Sequence, residues 1–228
     1  MWVKICGITR NEDANAAVLA GVDAIGLNFF PGSKRYVPLE NAVQLAAAIS
    51  EAVQPDGGMR QPDVIGVFVN ADMEAVIRTA RMVPLTGVQF HGDESAEFIG
   101  HCMRQLPGLK CIRAFRVSEE RLAGVVAEVN RLQSLLQLDA VLFDAFVVGE
   151  YGGTGHRLQN SLLSNWASPP HPPIILAGGL TPENIHEAVT AVRPWGVDTA
   201  SGVEVSAGIK DHRRMKEFVS SARAAGHS

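Results

Sequence analysis

Eight short apolar runs punctuate the chain at fairly even intervals, and most are apolar on consecutive positions rather than alternating ones. They are Val3–Ile8, Ala24–Phe30, Val64–Asn70, Gly87–His91, Lys110–Val117, Ala140–Phe146, Ile174–Gly178 and Val197–Ser201. A strand with one wet face alternates apolar and polar residues, whereas a strand covered on both faces is apolar throughout. The runs therefore read as strands of a parallel sheet. Helix-like segments of roughly ten to twenty residues lie between them. They begin near Glu12, Leu39, Ala71, Glu94, Ser118, Ser161, Pro182 and Lys210. Asn11 and Thr181-Pro182 look like helix starts, and Gly21 looks like a left-handed helix stop.

Eight strands alternating with eight helices predict the α/β class and favour a single-domain (β/α)8 TIM barrel over residues 1–228. An open doubly wound sheet has the same local content and is the rival architecture. The length suits one barrel, which runs to about 200–250 residues. Two turn-rich connectors, Gln54–Pro62 and Ser168–Pro173, both precede strands. On a barrel they fall on the N-terminal face, and neither reads as a domain boundary.

The formal charge is −4 with 19% charged residues, so the chain has no general attraction for nucleic acid or acidic membranes. A small anionic ligand must be captured locally. The three cysteines, Cys6, Cys102 and Cys111, fit neither a zinc pattern nor a disulfide framework and suit a reducing compartment. No signal-peptide pattern opens the chain and no run reaches the 18 or so apolar residues of a membrane span. The expected location is the cytoplasm. Met73, Met82 and Met103 read as core filling.

Barrel chemistry sits at the C-terminal ends of the strands. On that rim the sequence puts Cys6 after the first strand, Arg35 in the second loop, Gln89 and His91 on the fourth strand, Asp144 on the sixth and Asp198 on the eighth. Two glycine turns follow strands seven and eight, Gly178-Gly179 and Ser201-Gly202. Such turns expose backbone N–H groups and let a phosphate approach closely, and a short helix after Ser201 would add its positive end. Taken singly, each residue has a plainer reading: a buried thiol, a helix cap, a solvated loop charge, a structural histidine, a simple turn.

In order along the chain stand Lys4-Ile5-Cys6-Gly7-Ile8-Thr9, Ser33-Lys34-Arg35-Tyr36 and Val88-Gln89-Phe90-His91-Gly92. After them come Phe143-Asp144, Tyr151-Gly152-Gly153-Thr154-Gly155 and Gly178-Gly179-Leu180-Thr181-Pro182-Glu183-Asn184. Val197-Asp198 through Ser201-Gly202-Val203-Glu204 and then Lys210-Asp211 complete the set. In these motifs the chain resembles the phosphoribosylanthranilate isomerase family over nearly its whole length.

The resemblance implies an Amadori rearrangement of N-(5-phosphoribosyl)anthranilate to 1-(2-carboxyphenylamino)-1-deoxyribulose 5-phosphate, a step of L-tryptophan biosynthesis. It implies no cofactor and no metal. The expected partner is the small phosphorylated substrate alone, with no nucleic acid, membrane or obligate protein partner. By carry-over Cys6 is the general base and Asp144 the general acid. Arg35 contacts the anthranilate carboxylate or ring, while Gln89, His91 and Asp198 line the pocket. Gly155, Gly178, Gly179, Ser201 and Gly202 hold the phosphate.

Lys4 alternates with Cys6 along one strand, so the two share a face. Its charge could lower the thiol from the ordinary value of about 8.5. The chain departs from the family pattern at His156-Arg157, at Leu158-Gln159-Asn160 and at Thr199-Ala200, where a Val-Ser pair is more usual. Another phosphosugar barrel enzyme, or a non-catalytic barrel that binds a phosphorylated ligand, is the alternative function. Cys6 at the first strand end argues against the first, and the intact Cys6 and Asp144 pair against the second.

Overall fold

A computed structural model describes residues 1–53, 60–117, 122–144 and 171–226. Eight parallel strands close into a barrel in sequence order. They are β1 (Trp2–Cys6), β2 (Ala24–Asn28), β3 (Asp63–Phe68), β4 (Gly87–Phe90), β5 (Lys110–Arg116), β6 (Ala140–Asp144), β7 (Ile174–Ala177) and β8 (Gly196–Thr199). The seam pairs Trp2 with Gly196, Val3 with Val197, Lys4 with Asp198 and Ile5 with Thr199. That pairing excludes the open-sheet rival, because a doubly wound sheet leaves its outer strands as edges.

Seven α-helices lie among the described residues: α1 (Asn11–Leu19), α2 (Leu39–Ala52), α3 (Met73–Met82), α4 (Ala96–Arg104), α5 (Leu122–Leu135), α6 (Ile185–Val192) and α7 (His212–Ala225). The helix expected from Ser161 and the start of the one expected from Ser118 fall outside the described residues. Most of the apolar core lies between the strands and the helices. A second cluster, including Ala24, Ile65, Ile112, Leu142 and Ile175, fills the barrel itself. Strand residues alternate between these two cores, so every strand needs apolar residues on both faces. This is the physical origin of the continuous apolar runs in the sequence.

Several local expectations fail for identifiable reasons. Asn11 does not cap α1; Arg10 occupies that position without a side-chain capping bond, and Asn11 is already helical. Pro182 does not open α6, which starts at Ile185. Instead the Asn184 side chain accepts from Thr181 N and forms a turn before the helix. Met82 is 54% exposed at the end of α3 rather than core filling, while Met73 and Met103 pack against the core. Gly21 adopts the expected left-handed conformation, with φ of 78°.

Candidate active site

Cys6 is the last residue of β1, and the chain turns immediately after it. Gly7 has φ of 73°, and a Cβ there would collide with the Arg35 side chain. The thiol faces inward against β2 at Gly26. A Cβ on Gly26 would meet the sulfur at 2.7 Å, so that glycine makes room for the thiol. Two residues earlier on the same face, Lys4 is wholly buried and donates to Asp198 Oδ1 at 2.9 Å. The two are register partners across the seam, which brings both side chains into the barrel side by side.

The electrostatics of the thiol differ from the simple expectation. Burial pushes the Cys6 thiol above its ordinary value, and Asp198 adds to the effect. Lys4 and Lys210 pull in the other direction without overcoming it. Burial also works against the charge of Lys4, but Asp198 and Cys6 outweigh it and the ammonium is held on. Lys4 is thus shared between Asp198 and Cys6, and its pull does not offset the burial of the thiol.

A cavity of about 250 Å³ opens above this pair. Cys6, Arg35, Gln89, His91, Asp144 and Asp198 line it, together with Gly178 and Gly179. The barrel therefore gathers these eight sequence-predicted residues at one mouth. Ser201 and Gly202 lie just beyond the lining, and Gly155 lies outside the described residues. Asn28 and Thr199 also line the cavity; from the sequence Asn28 had no role and Thr199 was only a departure from the family pattern.

On β4 the Gln89 amide nitrogen sits 3.1 Å from His91 Nδ1. An amide N–H donates, so with the amide in this orientation Nδ1 accepts and the ring proton lies on Nε2. Nε2 in turn faces Asp144 Oδ2 at 3.8 Å. Burial depresses the His91 pKa although Asp144 opposes it, which keeps the imidazole neutral near pH 7. Gln89 Oε1 is buried and unpartnered among the described residues. A buried acceptor left this way carries a desolvation cost that an incoming hydroxyl or N–H would relieve.

The two glycine turns dock on each other. Gly178 and Gly179 have φ of 95° and 65°, a left-handed pair that L side chains resist. A Cβ on Gly202 would run into the Leu180 carbonyl. Thr199 donates its hydroxyl to that same carbonyl at 2.7 Å. This accounts for the departure at residue 199: a buried threonine is satisfied here because it ties the strand-eight turn to the strand-seven turn. The helix expected after Ser201 is a single 3-10 turn, Ser201–Val203, too short to carry much of a dipole.

Two further residues, Glu204 and Lys210, shape the mouth and had no role assigned from the sequence. A short antiparallel hairpin, β9 (Glu204–Ser206) and β10 (Ile209–Lys210), leaves the end of β8. Glu204 takes Arg35 in a two-bond fork, Nε to Oε1 at 2.8 Å and Nη2 to Oε2 at 2.6 Å. Lys210 is buried and donates to Glu204 Oε1 at 2.8 Å. The available signal was Ala207-Gly208 between Val205 and Ile209, a two-residue loop of hairpin type.

A larger cavity of about 680 Å³ adjoins the site over the ends of β4 and β5 and shares His91. Its principal charges are mutually paired, Arg113 with Glu94 at 2.9 Å and with Glu128 at 3.3 Å. Among the described residues no three His, Cys, Asp or Glu side chains gather as metal ligands. No helix among them is long and apolar enough to cross a membrane.

Comparison with known proteins identifies the family. The family model for N-(5'phosphoribosyl)anthranilate (PRA) isomerase matches residues 3–221. The N-(5'-phosphoribosyl)anthranilate isomerase of Neisseria meningitidis serogroup C is 41% identical over 219 residues, covering 96% of this chain and 95% of its own. Phosphoribosyl anthranilate isomerase from Thermotoga maritima superposes with a TM-score of 0.78 at 34% identity, covering 98% of this chain and 99% of its own. A solved phosphoribosyl anthranilate isomerase in complex with reduced 1-(o-carboxyphenylamino)-1-deoxyribulose 5-phosphate gives the same TM-score at 33% identity, with 98% and 99% coverage. The family model and these relatives each span nearly the whole chain, and the chain belongs to the N-(5'-phosphoribosyl)anthranilate isomerase family.

Proposed function

We propose that this chain converts N-(5-phosphoribosyl)anthranilate to 1-(2-carboxyphenylamino)-1-deoxyribulose 5-phosphate in L-tryptophan biosynthesis. One observation carries the reading at the level of residues. A thiol and a carboxylate, Cys6 and Asp144, open on one cavity of a barrel whose next two turns are built from glycine. An aldose-to-ketose rearrangement of an aminosugar needs an acid and a base and no change of oxidation state overall.

Asp144 gives a proton to the furanose ring oxygen, the C1–O bond breaks, and the nitrogen lone pair forms a protonated imine. The Cys6 thiolate then takes the proton from C2, and the C2–H electrons form the C1–C2 double bond of an enolamine. Protonation at C1 and loss of the enol proton give the ketone. The resting thiol is neutral because it is desolvated. A positively charged imine beside it favours the thiolate, as Lys4 and Lys210 already do. The thiol proton leaves to solvent, so the base is generated when substrate binds rather than stored beforehand.

Arg35 faces the anthranilate carboxylate, a pairing that suits a planar guanidinium. Gln89 Oε1, His91 and Asp198 line the sugar and aryl path, and Gly155, Gly178, Gly179, Ser201 and Gly202 receive the phosphate. We assign the whole chain to one catalytic domain working in the cytoplasm, where its three unpaired thiols stay reduced. The substrate decays, so it is made in the assay and turnover is followed as loss of its fluorescence. Steady turnover is expected, and its absence in folded protein contradicts the assignment.

A further inference from the structure

The Arg35 guanidinium is not an open fork. Two of its nitrogens are already engaged by Glu204, and among the described residues Nη1 has no partner. The Glu204 carboxylate is itself committed, with three donors on Oε1 and one, from Arg35, on Oε2. Oε1 also accepts from Lys210 Nζ at 2.8 Å and from Gly208 N at 3.3 Å. Its side chain is 4% exposed, against 25% for Arg35. Burial opposes its charge, but Arg35 and Lys210 outweigh that and hold the carboxylate below its usual range. Held by two cations and almost covered, it stays ionised.

The brace behind Glu204 is equally committed. Lys210 Nζ donates to the carbonyls of Cys6 and Ala200 besides Glu204, which accounts for its three protons. The turn of the hairpin is pinned as well, since the Thr9 hydroxyl donates to Gly208 O at 2.6 Å. Arg35 is a long side chain whose free state samples many rotamers. Here the ends of β1 and β8 and the hairpin fix it before any ligand arrives.

We propose that Glu204 is the positioning residue for Arg35: braced by Lys210, it locks the guanidinium so that Nη1 meets the aryl carboxylate of the substrate, and so sets the preference for substrates that carry that carboxylate. This rests on the Arg35 contact proposed above. Glu204 contributes by preorganisation, because a group held in its bound geometry loses less freedom on binding.

The test is a double-mutant cycle on kcat and KM with Glu204→Asp, Arg35→Ala and the pair. It uses N-(5-phosphoribosyl)anthranilate and the corresponding phosphoribosylaniline, which lacks the carboxylate. Glu204→Asp keeps a counter-charge for Lys210 but withdraws it from the Arg35 fork. The expected loss in kcat/KM on the carboxylate substrate is about 10- to 100-fold, carried mainly by KM, with a much smaller loss on the aniline substrate. The losses from Glu204→Asp and Arg35→Ala should fail to add. Additive losses, or equal losses on both substrates, overturn the proposal. If Glu204→Asp does not fold, Glu204→Gln enters the same cycle. If neither folds, the carboxylate is structural and the proposal falls. Wild-type protein inactive on the anthranilate substrate refutes the assigned activity instead, which is a separate outcome.

Discussion

Lys210 Nζ lies 2.7 Å from the carbonyl oxygen of Cys6, a residue 204 positions earlier in the chain. The same ammonium lies 2.9 Å from the carbonyl of Ala200. The last register pair of the seam is Ile5 with Thr199, so Lys210 joins the first and last strands one residue beyond their ladder. The seam is thereby closed at the level of the thiol, and the backbone that carries Cys6 is fixed from above. In a barrel this is the place where the chain has come full circle and where covalent continuity helps least.

Lys210→Met removes that closure and leaves two carbonyls and the Glu204 charge short of a partner. Breaking a buried ion pair from one side costs about 3–5 kcal/mol. In a chain of this size 1 kcal/mol corresponds to about 2–4 °C in Tm. Calorimetry should show a fall of roughly 6–20 °C. A fall of a degree or two would mean that the ammonium contributes little to closing the seam.

The three thiols should separate by reactivity. Cys102 and Cys111 are buried, and burial raises them to about 11 and about 12. Cys6 is only partly covered, although its pKa is also raised. Iodoacetamide in native conditions should label Cys6 first, with a rate that climbs at a pH above the ordinary thiol value of about 8.5. Lys4→Met should move that climb to still higher pH. Labelling of Cys102 or Cys111 at the same rate, or a climb centred below 8.5, contradicts this picture. Peptide mapping by mass spectrometry reads both.

Acid should weaken the fold through two buried carboxylates. Burial alone would raise Asp13, but bonds from Arg10, His212 and the Lys210 amide lower it, and Glu204 is lowered by Arg35 and Lys210. A carboxylate with a folded pKa below its unfolded value binds fewer protons when folded. Its stabilisation is fully present above the unfolded value, about 4, and is lost as pH falls through the folded value. Urea titrations from pH 7 down to pH 2 should show stability steady above about pH 5 and falling steeply below pH 4. In Glu204→Gln part of that slope should vanish. An unchanged slope would show that Glu204 keeps its ordinary pKa.

The strands were legible in the sequence because a barrel strand is covered on both sides, and eight such runs leave few alternatives. Their ends were less so. Gly178, Ser201 and Asn70 looked like strand termini, yet β7, β8 and β3 stop one or two residues earlier. Apolar character marks burial and not the point where strand pairing ends. Cys6, His91 and Asp144 could be placed on one rim by counting strands. The partner of Arg35 could not, because Glu204 is 169 residues away and meets it only when the barrel closes. Lys4 was rightly placed on the face of Cys6, but its commitment to Asp198 depends on the β1–β8 register, which no local pattern states.

If Cys6 removes the C2 proton, Cys6→Ala should show it in kcat/KM on freshly made N-(5-phosphoribosyl)anthranilate, with folding checked by circular dichroism. Loss of a positioned general base predicts a fall of about 10²–10⁴-fold with the fold intact. Turnover within a few-fold of the wild type would contradict the account and move the base to another residue of the mouth.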